Sequence, residues 1–134
     1  MGVAEKAAHM SHAVRKKVGA VIVTQNGGMY YGYNGTPSGF DNNCEDEISG
    51  ELLTKNTVIH AEKNCLAKML KEGVSAKGST VFVTMSPCET CALMMVAAGV
   101  SMVFYKEKYR DETGLNILKQ ANIYSEEINE NLCK

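Results

Sequence analysis

Two short segments constrain this chain more than anything else in it: His60-Ala61-Glu62 and Pro87-Cys88-Glu89-Thr90-Cys91, with 27 residues between His60 and Cys88. His60 follows the extended Thr57-Val58-Ile59. It opens a stretch free of Gly and Pro, residues 60–71, that puts Ala61, Cys65 and Met69 at helical spacing until Gly73 ends it. Pro87 suits a first helical turn, and residues 88–98 continue as an apolar helix stopped by Gly99. Whatever the fold, it has to be one in which two strand-to-helix junctions can lie side by side.

The rest of the chain supplies such a frame. Residues 3–14 are Ala-rich and read as a helix. The β-branched run 18–24 reads as a buried strand, Asn26-Gly27-Gly28 as a turn, and 29–33 as the returning strand of a hairpin. Residues 34–43 are a Gly/Asn/Pro loop, and 44–58 are polar and mixed, with no assignable element. Further strands are expected at 80–84, 101–105 and 122–124, and a further helix at 115–121. Strands joined through helices imply right-handed crossovers and parallel neighbours after the antiparallel opening hairpin. The expected fold is α/β: a three-layer α/β/α sandwich around a mixed five-stranded sheet. Met94, Met95 and Met102 lie in apolar segments and read as core fillers.

Length and charge narrow the function. A chain of 134 residues is expected to be a single domain, 1–134. A net charge of −1 gives no basic footprint for nucleic acid, and no apolar run is long enough for a membrane. Residues 1–10 hold no signal-peptide core, so a cytoplasmic protein is expected. Five cysteines, Cys44, Cys65, Cys88, Cys91 and Cys133, are then packed thiols or metal ligands rather than disulfides.

The chemistry follows from the two segments. Cys88 and Cys91 at a helix start face one point, and the positive end of the helix favours thiolates. With His60 they make a nitrogen-and-sulfur set of three, which suits Zn2+ and leaves a fourth position open, as catalytic zinc requires. Glu62, on the first turn after His60, would stand beside the metal's water as a proton carrier without being a ligand. A lone CxxC could be redox-active or half of a zinc ribbon, but no second CxxC exists and this one lies late in the chain. HxE followed by PCxxC is the signature of zinc nucleobase deaminases.

Three stretches carry a closer resemblance: Gly32-Tyr33-Asn34-Gly35-Thr36-Pro37-Ser38-Gly39, His60-Ala61-Glu62-Lys63-Asn64, and Ser86-Pro87-Cys88-Glu89-Thr90-Cys91. With the strand from Lys17, they resemble the deoxycytidylate (dCMP) deaminases of the cytidine/deoxycytidylate zinc deaminase superfamily. The resemblance runs from about Lys17 to about Tyr109. It implies a cytidine-deaminase-like fold and hydrolysis of dCMP to dUMP and ammonia, supplying thymidylate synthesis. It also implies a homohexamer, activation by dCTP with Mg2+, and inhibition by dTTP. By residue, it implies that Asn34 bonds the deoxyribose, that the Ala61 backbone holds the pyrimidine edge, and that the Ser86 carbonyl faces the leaving amine. Thr36 and Tyr109 join them as substrate contacts.

A monophosphate needs a cation or a nest of backbone N–H groups. Arg15, Lys16 and Lys17, ending the first helix, are one source. Gly35 and Ser38 in the glycine-rich loop are a second, and Lys106, Lys108, Tyr109 and Arg110, at the C-terminal end of a parallel strand, a third. Some members of the family carry a longer insert before HAE with a second, structural zinc. Here 20 residues separate Gly39 from His60 and hold one cysteine, Cys44, and no histidine, so Cys44 reads as a packed thiol. The alternatives are a deaminase of transfer-RNA adenosine, guanine or cytosine, and a non-catalytic zinc- or nucleotide-binding module.

Overall fold

The computed structural model describes residues 1–128; Cys133 lies outside them. The β-branched run becomes β1 (Gly19–Val23). It turns at Asn26-Gly27-Gly28 into β2 (Met29–Tyr33), antiparallel from Gly19↔Tyr33 to Val23↔Met29. The unassigned polar stretch is a second hairpin, β3 (Glu45–Ile48) and β4 (Glu51–Thr54), standing apart as a two-stranded ribbon. Its turn, Ser49-Gly50, has φ of 53° and 82°, the two positive values that a tight hairpin turn needs. Then α2 (Ala61–Glu72), β5 (Thr80–Met85), α3 (Glu89–Ala98), β6 (Met102–Glu107), α4 (Thr113–Gln120) and β7 (Tyr124–Glu127) alternate. The main sheet runs β2-β1-β5-β6-β7. β1 is antiparallel to both neighbours and β5, β6 and β7 are parallel, giving the expected mixed five-stranded sheet.

Side-chain alternation sets the layers. Ala20 and Ile22, Val81 and Val83, and Val103 and Tyr105 share one face. They form the core with Ala61, Cys65 and Met69 of α2, Ala92 and Met95 of α3, and Leu118 of α4. The opposite face receives α1 (Gly2–Ala8), which buries Ala4, Ala7 and Ala8 and comes so close that a Cβ at Gly19 would strike its backbone. Among the described residues no helix is long and apolar enough to cross a membrane.

Three expectations are corrected. The first helix ends at Ala8 rather than Val14. Ser11 Oγ donates to the Asn34 carbonyl (2.7 Å) and accepts the Ala13 N–H (3.1 Å), and this local competition draws the chain out of the helix. Arg15, Lys16 and Lys17 therefore lie in the connection to β1, not at a helix end. Pro87 precedes α3 instead of opening it, because Cys88 is the N-cap. Of the three methionines only Met95 is buried; Met94 and Met102 face outward at 47% and 38% exposure.

Candidate active site

Each of the two motifs sits where a strand-like approach meets a helix. His60 is the N-cap of α2 and Cys88 the N-cap of α3, both with extended backbone, and neither side chain caps its own helix. Their donor atoms are thus free to face one another. His60 Nδ1 lies 3.4 Å from Cys88 Sγ and 3.3 Å from Cys91 Sγ, Cys91 being in the first turn of α3. One ligand atom from each of the three residues falls within 4.8 Å of the others, close enough for a single ion to reach all three.

The electrostatics suit a cation there. The Cys88 thiol is held down at about 2, chiefly by hydrogen bonding from Cys91 and then from His60 and Thr90. Its neighbour moves the other way: Cys91, hydrogen-bonded to Cys88 and buried, is pushed upward. His60 is raised, first by its hydrogen bond to Cys88. A sulfur and an imidazole nitrogen 3.4 Å apart are donor atoms that a zinc ion would bind by displacing the protons they carry. Cys65 is different. Burial lifts its thiol to about 12, and its Sγ donates to the Ala20 carbonyl at 3.4 Å, so it packs. Cys44 is buried with its Sγ 3.5 Å from the Asn42 carbonyl.

Glu62 is one residue into α2 beyond Ala61, only 4% exposed, and burial pushes its carboxyl above the ordinary carboxylate range. It lines a cavity of about 270 Å³ together with His60, Ala61, Ser86, Cys88, Arg15 and Lys16. That volume lies near the low end for small-molecule sites, roughly 300–1,000 Å³.

Of the residues singled out in the sequence, the cavity gathers Asn34, Ala61, Ser86, Tyr109 and Arg15 around the motif residues. Asn34 is a clamp as well as a lining residue. Its Oδ1 accepts the Val18 N–H (2.8 Å), its Nδ2 donates to the Lys16 carbonyl (2.8 Å), and the next residue, Gly35, bridges to Ile59 just before His60. Tyr109 is anchored through its N–H to Ser86 Oγ at 2.7 Å. Lys17 does not line this cavity, whereas its neighbour Lys16 does, with Nζ on Glu107 Oε2 at 2.7 Å. Lys106 is not brought here; it meets Glu5 of α1 at 3.0 Å. Gly35, Thr36 and Ser38 line a separate cavity with Lys68 and Lys71.

Sequence reading missed Glu45 and Thr54, the paired residues at the base of the β3–β4 hairpin, and Gly114. The Ser49-Gly50 dipeptide was the available signal for that hairpin. Gly114, near the start of α4, lies so close to the cysteine turn that a Cβ there would overlap the Pro87 carbonyl oxygen and stand 2.9 Å from that of Cys88.

An imidazole and two sulfurs meeting at adjoining helix starts, with a buried glutamate beside them, define a zinc-dependent deaminase site. The sequence pattern of the cytidine and deoxycytidylate deaminase zinc-binding region matches residues 1–107, so this chain belongs to the cytidine and deoxycytidylate deaminase family. It is 35% identical over 131 residues to deoxycytidylate deaminase of Saccharomyces cerevisiae, covering 92% of this chain and 41% of the yeast protein. It is 33% identical over 119 residues to that of Mycobacterium phage D29, covering 81% of this chain and 91% of the phage protein. A crystal structure of dCMP deaminase from the cyanophage S-TIM5 in complex with dCMP and dUMP superposes with a TM-score of 0.87 at 43% identity, over 95% of this chain and 92% of that one.

Proposed function

We propose that this chain, as one deaminase domain over 1–134, hydrolyses dCMP to dUMP and ammonia and so supplies thymidylate synthesis. The observation that carries the reading is a single cavity lined by Glu62, by His60 and Cys88 of the His60, Cys88 and Cys91 group, and by the cations Arg15 and Lys16. A zinc ion held by His60, Cys88 and Cys91 supplies Lewis acidity, which brings the ionisation of water to ~7. Glu62 takes a proton from the attacking water, passes it to the ring nitrogen next to the amine-bearing carbon, and later hands a proton to the departing amine. Water's oxygen ends on that carbon and ammonia leaves. The Ala61 backbone and Ser86 carbonyl hold the base edge, while Asn34 and Tyr109 line the sugar side. Arg15 meets the phosphate, with Lys16 beside it.

Arg15→Gln is expected to raise KM for dCMP by about 10- to 100-fold, the loss of one charge-assisted contact, with kcat little changed. Deoxycytidine, which has no phosphate, should respond much less; an equal loss on both would remove Arg15 from phosphate binding.

Activation by dCTP with Mg2+, inhibition by dTTP, a homohexamer and a cytoplasmic location belong to the same proposal. A second cavity of about 390 Å³, lined by the glycine-rich loop with Lys68 and Lys71, supports an effector site. The test is ammonia release from dCMP, dCTP, cytosine, guanine and an RNA stem-loop, with and without dCTP as effector. Release from dCMP is expected, and activity confined to a free base or to RNA overturns the reading. Sedimentation of the zinc-loaded protein checks the assembly.

A further inference from the structure

Each motif carries one polar residue that the proposed chemistry leaves idle, and these two residues touch. Lys63, in the first turn of α2, donates from Nζ to Oγ1 of Thr90, in the first turn of α3, at 3.0 Å. Thr90 Oγ1 in turn stands 3.4 Å from Cys88 Sγ. Neither Lys63 nor Thr90 lines the catalytic cavity. The direction of this row follows from the groups in it. An ammonium has donors only, so Thr90 accepts from Lys63. A hydroxyl has a single hydrogen, and with Lys63 on a lone pair that hydrogen is left for Cys88 Sγ. A cysteine binds metal as a thiolate, which takes hydrogen bonds and offers none. The row therefore runs one way, from ammonium to hydroxyl to sulfur, and ends on the group where a hydrogen bond is charge-assisted.

Of the two sulfurs, Cys88 is the one that needs such a partner. Cys91 is fully buried within α3, whereas Cys88 is half-buried and stands at the N-cap, ahead of the first helical residue. We propose that Lys63 and Thr90 are positioning residues for Cys88: Lys63 orients the Thr90 hydroxyl, and that hydroxyl fixes the Cys88 sulfur in place as a ligand and draws electron density from it. A sulfur that gives less charge to a metal leaves the metal the stronger Lewis acid, so the pair tunes the site as well as bracing it. It also ties the two helix starts together directly, α2 to α3, at the point where their ligands converge. The inference rests on the reading of His60, Cys88 and Cys91 as zinc ligands.

Thr90→Val keeps the side chain's shape and removes the hydrogen, Thr90→Ser keeps the hydrogen, and Lys63→Met keeps the length without the charge. Zinc affinity is measured on the full chain by competition with a chelator. The sulfur-to-metal charge-transfer band is then recorded with Co2+ in place of zinc. That band comes only from folded, metal-bound protein, so a loss of stability cannot imitate its shift. Thr90→Val is expected to weaken zinc binding by roughly tenfold, the low end for a partner of a metal ligand because Thr90 is exposed. It should also move the cobalt band to lower energy, as the sulfur regains charge. Lys63→Met should shift both in the same direction by less, and should add under about twofold in the Thr90→Val background, where the row is already broken. Thr90→Ser should keep both values. An unmoved band and affinity in Thr90→Val, equal losses in Thr90→Ser, or additive losses in the double variant overturn the inference and leave the zinc site standing. A wild type that binds neither metal overturns the zinc reading with it.

Discussion

Replacing Glu62 with glutamine is expected to lower kcat on dCMP by about 10²–10⁴-fold, the usual worth of a positioned proton carrier, while zinc content and fold persist. Glutamine has the shape of glutamate and can keep its hydrogen bonds, but it cannot give and take a proton at neutral pH. The site explains why this carboxyl suits the task. It lies at the N-terminal end of α2, 4% exposed, where burial pushes its pKa up and makes it a willing proton acceptor. Relieving a buried carboxylate costs the fold little, so Tm should hold or rise. Single-turnover kinetics, metal analysis and thermal melting read the three quantities separately. Turnover retained within tenfold would remove Glu62 from proton transfer and favour a non-catalytic zinc module.

The motif residues were legible in the sequence because their signal is local. HxE and PCxxC each occupy one helix start, and the β-branched runs and terminal glycines around them fix where those helices begin and end. Gly73 and Gly99 are indeed left-handed C-caps, with φ of 69° and 83°. What was not legible depends on partners distant in the chain. Composition alone extends the first helix to residue 14, but Ser11 leaves it for the carbonyl of Asn34, 23 positions away. The β3–β4 hairpin lacks apolar alternation because its strands are exposed apart from Glu45, so the pattern that betrays half-buried strands is missing. Its contribution to the cavity, Glu45 and Thr54 on Arg15, exists only once the loop before β1 has been folded against it. The phosphate candidates divided for the same reason. Arg15 and Lys16 reach the cavity, while Lys106 turns to α1 on the far side of the sheet.

Gly114→Val is expected to strip zinc from the protein although no ligand is altered. Gly114 is buried near the start of α4 against the turn that carries Cys88. A side chain there would overlap the Pro87 carbonyl oxygen and crowd that of Cys88 at 2.9 Å; both are backbone atoms, which cannot swing aside as a flexible side chain does. Either α4 lifts away, opening the core around Leu118, or the turn shifts and takes Cys88 with it. Metal sites tolerate misplacement of a ligand by only a few tenths of an ångström. Overpacking of this kind costs about 1–3 kcal/mol, which lowers Tm by about 5 °C or more in a chain of this size. The variant should purify with less than about half the wild type's zinc, and kcat per chain should fall in proportion. Asn116→Val, an exposed position on the same helix, provides the control and should keep its zinc. Full zinc and unchanged kinetics in Gly114→Val would show that α4 does not brace the cysteine turn, and that the first turn of α3 holds Cys88 and Cys91 in place unaided.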